Sequence, residues 1–177
     1  MKFWSRMNLP NKLTLIRIFM IPIFMIFAGC RLHILSTLVF CAACLTDWLD
    51  GRIAREYDMV TNFGKFADPI ADKLLVMAAL VILTAQGQVE SWVCIILLGR
   101  EFIISGFRLI AVEQGKVLAA GKLGKAKTAT QMVAIIGLLL FYGGFLHGVA
   151  SIVLYVSMIL SVASAVEYIG NNMDCIR

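Results

Sequence analysis

Two short stretches, DWLDGRIAR at residues 47–55 and GKFADPIAD at residues 64–72, decide how this chain folds. Each adjoins a long apolar run. Residues 35–45 lead into the first stretch, and residues 74–89 lead out of the second. An aspartate at the centre of a membrane helix costs about 2.5–3.5 kcal/mol. Several aspartates beside such runs therefore predict compensating cations, and divalent metals with an anionic substrate would supply them.

The composition of the 177-residue chain predicts an all-α integral membrane protein. The chain is 60% hydrophobic with only 15% charged residues, and its mean hydropathy is +0.88. A soluble domain of this length needs a more polar surface, whereas a membrane helix needs about 20 mostly apolar residues. We expect a single domain over residues 1–177, a bundle of six transmembrane helices, with these spans: Leu13–Gly29, 32–54, 64–86, 90–113, Ala129–Leu146 and Gly148–Val166.

Lysine and arginine are distributed unevenly between the expected loops. They concentrate at both termini and in residues 52–65 and 108–127, whereas the outer loops contain only Arg31. Cytoplasmic loops are the ones enriched in these residues. We therefore expect a multi-pass protein of the cell membrane, with both termini and the active site at the cytoplasmic side. The net charge of +5 suits anionic lipid head groups and does not indicate a nucleic-acid partner.

The four aspartates of the two stretches fall into two pairs. Asp47 and Asp50 are three residues apart, and Asp68 and Asp72 are four apart, so each pair shares one helix face. A hairpin from about residue 51 to 63 would bring both pairs to the same membrane depth. Carboxylate oxygens suit hard cations such as Mg²⁺ or Mn²⁺. A solvated helix–loop–helix is the alternative, but ionisable residues at a membrane edge favour a functional site.

Residues next to the aspartates indicate a phosphate-bearing ligand. Gly51 and Gly64 have no side chain, which lets a ligand approach the backbone. Arg55 follows Asp50 by about one and a half turns and can offer a bidentate fork to a phosphate.

A second polar group begins in the fourth span and indicates the binding of another anion. Glu101, Ser105 and Arg108 share one helix face. A phosphorylated acceptor would require cations, and a neutral one would not. The candidates for its phosphate are Arg108 and Lys125, followed by Lys122, Arg100 and Lys127. Contact with anionic lipid is an equal alternative for Lys127.

The pattern D-x2-D-G-x2-A-R-x8-G-x3-D-x3-D resembles the signature of the CDP-alcohol phosphatidyltransferase family. The matching positions are Asp47, Asp50, Gly51, Ala54, Arg55, Gly64, Asp68 and Asp72. Residues 8–17 (NLPNKLTLIR), 64–73 and 100–128 are also similar to family members that use glycerol 3-phosphate as the acceptor.

The resemblance implies a reaction and roles for individual residues. CDP-diacylglycerol would donate its phosphatidyl group to sn-glycerol 3-phosphate, with release of CMP. Two divalent cations, Mg or Mn, would be held by Asp47, Asp50, Asp68 and Asp72, and Asp72 would also be the general base. The resemblance also implies a homodimer. CDP-diacylglycerol would lie at Gly51, Ala54, Arg55 and Gly64, with Thr61, Thr14 and Arg17 as weaker candidates.

Two alternatives remain at this stage. Another acceptor, inositol phosphate or phosphatidylglycerol, would leave the chemistry unchanged. A divalent-cation transporter would need sites near the membrane midplane. The aspartates instead cluster at one side, and Glu90 is the only acidic residue expected in the outer half, so the transferase is favoured.

Overall fold

The computed structural model describes residues 8–56, 62–114 and 121–173, and every regular element in them is helical. The expected all-α class is therefore confirmed for this part of the chain. The described helices, in chain order, are α1 Leu9–Gly29, α2 His33–Glu56, α3 Asn62–Ala85, α4 Ser91–Glu113, α5 Lys122–Leu140 and α6 Gly144–Gly170.

Helices α1, α2, α5 and α6 are long and apolar enough to cross a membrane, which supports a multi-pass membrane protein. Helices α3 and α4 have similar lengths but carry charged residues. On α4 the side chains of Ile95, Phe102 and Leu109 are 69%, 63% and 64% exposed. Bulky apolar groups on the outside of a helix suit a hydrocarbon surrounding, because lipid is as apolar as the side chains themselves.

The chain divides into two compact units between Ile82 and Leu83. In the N-terminal unit α1 packs along α2, with the Phe24 and Phe40 rings 5.6 Å apart. The turn between them is a Schellman motif, in which Leu32 N donates to Phe27 O and Arg31 N to Ala28 O. Arg31 takes the left-handed conformation there, with φ of 58°.

In the C-terminal unit α6 packs against both α4 and α5. The contact with α5 is close at Gly137, where an added Cβ would lie 2.8 Å from the Ala150 Cβ. The contact with α4 includes the Phe107 and Tyr168 rings, whose centroids are 6.0 Å apart. Gly137 and Ala150 therefore let α5 and α6 approach closely, as small residues commonly do between membrane helices.

The expected bounds of the last two spans were wrong. Hydropathy predicted Ala129–Leu146 and Gly148–Val166, whereas α5 ends at Leu140 and α6 begins at Gly144. Residues 141–146 are apolar enough to continue a hydrophobic run, but Gly143 and Gly144 have φ of 87° and 76°. Phe141 is already extended, with φ of −110° and ψ of 111°, and the positive φ of the two glycines keeps α5 and α6 from joining into one helix regardless of hydropathy. The turn near Gly144 itself is confirmed.

Candidate active site

Arg17 of α1 joins the first aspartate pair inside the N-terminal unit. Its Nη1 lies 2.7 Å from Asp47 Oδ1, and its Nη2 donates a short hydrogen bond to Asp50 Oδ2. The Arg17 side chain is 0% exposed and that of Asp50 is 3% exposed. Removing a lone charge from water costs several kcal/mol even after relaxation. The guanidinium and the two carboxylates therefore compensate one another.

The neighbouring turn of α1 contacts the second aspartate pair. Thr14 Oγ1 donates a 2.5 Å hydrogen bond to Asp68 Oδ1, and Thr14 is fully buried. Thr14 and Arg17 are three residues apart and so share a helix face. Asp72, one turn after Asp68 on α3, is half-buried. The motif alone pointed to α2 and α3; the structure adds α1 as a third helix that contacts the acidic residues.

The donor chemistry of this site fits a divalent cation. A single guanidinium reaches both Asp47 and Asp50, so a positive charge already stands between these two carboxylates. Their ligand atoms are all oxygen, which Mg²⁺ and Mn²⁺ prefer. With Arg17 in that position, the described residues contain no group of three or more His, Cys, Asp or Glu side chains placed to hold a metal. The metal assignment thus stays a prediction.

The other motif residues lie on α2 and α3, whereas Thr61, the remaining candidate for the donor, does not fall on either helix as described. Gly51, Ala54 and Arg55 belong to the C-terminal end of α2, which continues to Glu56. The hairpin expected from about residue 51 is therefore shorter, because α3 already begins at Asn62. Gly64 lies in the first turn of α3. Thr61 falls outside the described residues.

Two of the residues expected to bind the acceptor form ion pairs within the C-terminal unit. Arg100 Nη1 lies 3.0 Å from Glu101 Oε1, and Lys127 Nζ makes a short contact with the same oxygen. Arg100 also donates to the Ser161 carbonyl at 3.1 Å and to Ser164 Oγ at 2.6 Å. These contacts connect α4 to α5 and α6. A role for Arg100 or Lys127 in acceptor binding stays a prediction.

Arg108 is the more accessible basic residue on α4. Its Nε donates a 3.1 Å hydrogen bond to Tyr168 Oη, and its guanidinium carbon lies 5.3 Å from the centroid of that ring. Stacking on a ring orients a guanidinium and leaves other N–H groups available to an anion. Lys125 is exposed on the first turns of α5. Lys122 begins α5, and its side chain lies outside the described set.

Polar residues of α6 were missed at the sequence level, although a signal was present. Ser157, Ser161, Ser164 and Tyr168 are spaced by four, three and four residues, which is one helix face. The serines are buried, and two of these positions contact Arg100 while Tyr168 contacts Arg108. A polar stripe on an otherwise apolar helix could have identified α6 as the partner of α4.

Comparison with known proteins agrees with the motif. The family model described as CDP-alcohol phosphatidyltransferase matches residues 7–163, a range that includes residues of both units. The chain belongs to this family. Three bacterial relatives share the name CDP-diacylglycerol–glycerol-3-phosphate 3-phosphatidyltransferase. The protein of Bacillus subtilis is 42% identical over 96% of this chain and 97% of its own length. The proteins of Haemophilus influenzae and Rickettsia felis are 39% and 36% identical, over 97% and 91% of this chain and 99% and 93% of their own lengths.

Proposed function

We propose that this chain transfers the phosphatidyl group of CDP-diacylglycerol to sn-glycerol 3-phosphate, giving phosphatidylglycerophosphate and CMP. This is the activity in the names of the three relatives, each similar over more than nine tenths of both chains. The observation that carries the proposal is the motif from Asp47 to Asp72, whose eight defining positions are all present. The basic residues of α4 and α5 favour a phosphorylated acceptor over a neutral one.

The donor is assigned to the N-terminal unit. Asp47, Asp50, Asp68 and Asp72 would hold two divalent cations, Mg or Mn. When bound, these cations neutralise the diphosphate and stabilise CMP as it leaves. The fork of Arg55 would hold a phosphate of the CDP group. Gly51 and Gly64 would let the nucleotide approach the backbone, with Ala54, Thr61, Thr14 and Arg17 nearby.

The acceptor supplies the nucleophile, and Asp72 would accept its proton. The hydroxyl oxygen of glycerol 3-phosphate forms a bond to the phosphatidyl phosphorus, and the bond from that phosphorus to the CMP oxygen breaks. Asp72 must lie within hydrogen-bond reach of the attacking hydroxyl to take its proton. Arg108 and Lys125 would hold the acceptor phosphate, with Lys122, Arg100 and Lys127 as further candidates. Each charged hydrogen bond contributes about 1.5–3 kcal/mol.

We also propose a homodimer of six-span subunits in a bacterial cell membrane, with the active site and both termini cytoplasmic. The uneven distribution of Lys and Arg supports this orientation. In a cysteine-free background, a cysteine at Lys125 should react with an impermeant thiol reagent only from the cytoplasmic side. A cysteine at Phe145, which is 84% exposed, should react only from outside. Labelling of position 125 from outside would invert the orientation.

A panel of acceptors tests the assigned product. The purified chain is incubated with CDP-diacylglycerol and with glycerol 3-phosphate, inositol phosphate or phosphatidylglycerol, and the lipid product is identified by mass spectrometry. Phosphatidylglycerophosphate should be the main product. A preference for inositol phosphate or phosphatidylglycerol would overturn the named acceptor and leave the transferase chemistry intact.

A further inference from the structure

Arg17 lies on the first helix, outside the family signature, and contacts two aspartates of that signature. The family signature runs from Asp47 to Asp72, yet the cation that contacts the first aspartate pair comes from α1. Arg17 is fully buried. Its role must therefore be explained by its contacts with the carboxylates and not by contact with water.

The hydrogen bonding of this guanidinium is incomplete. Its Nη2 bonds to Asp50, and its Nη1 lies 2.7 Å from Asp47. Nevertheless, Nε and Nη1 are buried without an aligned hydrogen-bond partner in the described part of the chain. A guanidinium has five N–H donors, and buried donors without partners are destabilising. The pairing therefore neutralises charge without using the full donor capacity of Arg17.

We propose that Arg17 is an exchangeable counter-cation, which holds Asp47 and Asp50 in the metal-free protein and is displaced when a divalent cation binds them. This inference rests on the proposed function, because it takes the aspartates as metal ligands. A divalent cation carries twice the charge of a guanidinium and uses the same carboxylate oxygens. Arg17 and the metal then compete, and the apparent metal affinity equals the intrinsic affinity multiplied by the fraction of protein in which Arg17 is unpaired.

Metal binding without substrate tests the competition directly. Free Mn²⁺ is measured by electron paramagnetic resonance as it is titrated into the purified full chain, so no turnover is needed. Arg17→Met keeps an unbranched side chain and removes the charge, and it should lower the Kd for Mn²⁺ at least about tenfold. Arg17→Lys keeps a positive charge but loses the fork that reaches two carboxylates. Its Kd for Mn²⁺ should therefore lie between those of wild type and Arg17→Met.

Arg52→Met is the matched control. Arg52 lies on α2, is exposed, and stacks on Trp48 with its guanidinium carbon 5.4 Å from the ring centroid. The Arg52→Met substitution removes a positive charge close to the motif without breaking the Arg17 pairs. The Kd of this variant for Mn²⁺ should therefore stay close to that of wild type. A similar tightening in this control would show a general charge effect and overturn the proposal.

Thermal unfolding supplies an independent readout. In chelator, Arg17→Met should unfold at a lower temperature than wild type, because Asp47 and Asp50 lose their counter-charge. With saturating Mn²⁺ this difference should narrow. Unchanged or weaker Mn²⁺ binding in both Arg17 variants, with wild type binding normally, would overturn the proposal. Failure of folded wild type to bind Mn²⁺ at all would instead reject the metal site in the proposed function.

Discussion

Two clusters of charged side chains, one in each unit, combine charges in opposite ways. In the N-terminal unit one arginine, Arg17, contacts two carboxylates, and Asp68 is held by a neutral hydroxyl. In the C-terminal unit two cations, Arg100 and Lys127, contact the one carboxylate of Glu101. Around Arg17 these contacts therefore pair one cation with two carboxylates, and around Glu101 they pair two cations with one carboxylate.

This difference agrees with the ligand proposed for each unit. Excess carboxylate favours a metal cation, and excess guanidinium or ammonium favours a phosphate. A transferase that joins a metal-bound nucleotide donor to a phosphorylated acceptor needs both. The comparison therefore predicts that substitutions in the two units will change different kinetic constants.

The largest expected effect comes from Asp72, in the N-terminal unit. Asp72→Asn keeps the shape of the side chain and removes its charge and basicity. General base catalysis typically contributes about 10²–10⁴-fold to the rate. The kcat for CMP release should therefore fall by about 10²-fold or more while the protein stays folded. The acceptor KM should change much less. A clean preparation of this variant with substantial activity would reject the role of Asp72 as base.

A smaller effect is expected from Arg108, in the C-terminal unit. Loss of a charged hydrogen bond worth about 1.5–3 kcal/mol should raise the KM for glycerol 3-phosphate by roughly 10–100-fold in Arg108→Ala. The KM for CDP-diacylglycerol should change little. Tyr168→Phe is the control, since it keeps the ring under Arg108 and removes one hydrogen bond; its effect should be smaller. A change confined to the donor KM would move Arg108 to the donor site.

The smallest effect concerns packing in the C-terminal unit and not its charge. In Gly137→Ala the new Cβ would meet the Ala150 Cβ at 2.8 Å, and overpacking of this kind costs about 1–3 kcal/mol. This variant should unfold at a lower temperature and retain its turnover number. Gly148→Ala is the control, because an added Cβ there meets nothing within 4 Å. Equal stability of the two variants would mean that the α5–α6 contact is looser than described.

Much of the fold could be predicted because hydrophobic length is a local property. Apolar runs predicted six helices, and the structure has six in its described residues. The boundary between α5 and α6 could not be predicted in this way, because it depends on backbone conformation at Gly143 and Gly144. Hydropathy does not report φ.

Helical periodicity predicted only those parts of the candidate site whose residues are close in sequence. Periodicity places Asp47 beside Asp50 and Asp68 beside Asp72, since each pair is separated by one helical turn. The pairing of Arg17 with Asp50 joins residues 33 positions apart, and that of Arg100 with Ser164 joins residues 64 apart. Such contacts depend on how helices pack, which no local pattern encodes.

Release of CMP under four conditions tests the central claim most directly. The purified chain receives CDP-diacylglycerol with either glycerol 3-phosphate or plain glycerol, and each acceptor is assayed with Mg²⁺ or Mn²⁺ and after exhaustive chelation. CMP should be released only with glycerol 3-phosphate and metal together. Plain glycerol has no phosphate to pair with the basic side chains of the acceptor site, and chelation removes the metal from the carboxylates. Equal release with glycerol would contradict the assignment of the basic residues to the acceptor phosphate, and undiminished release after chelation would contradict the metal site.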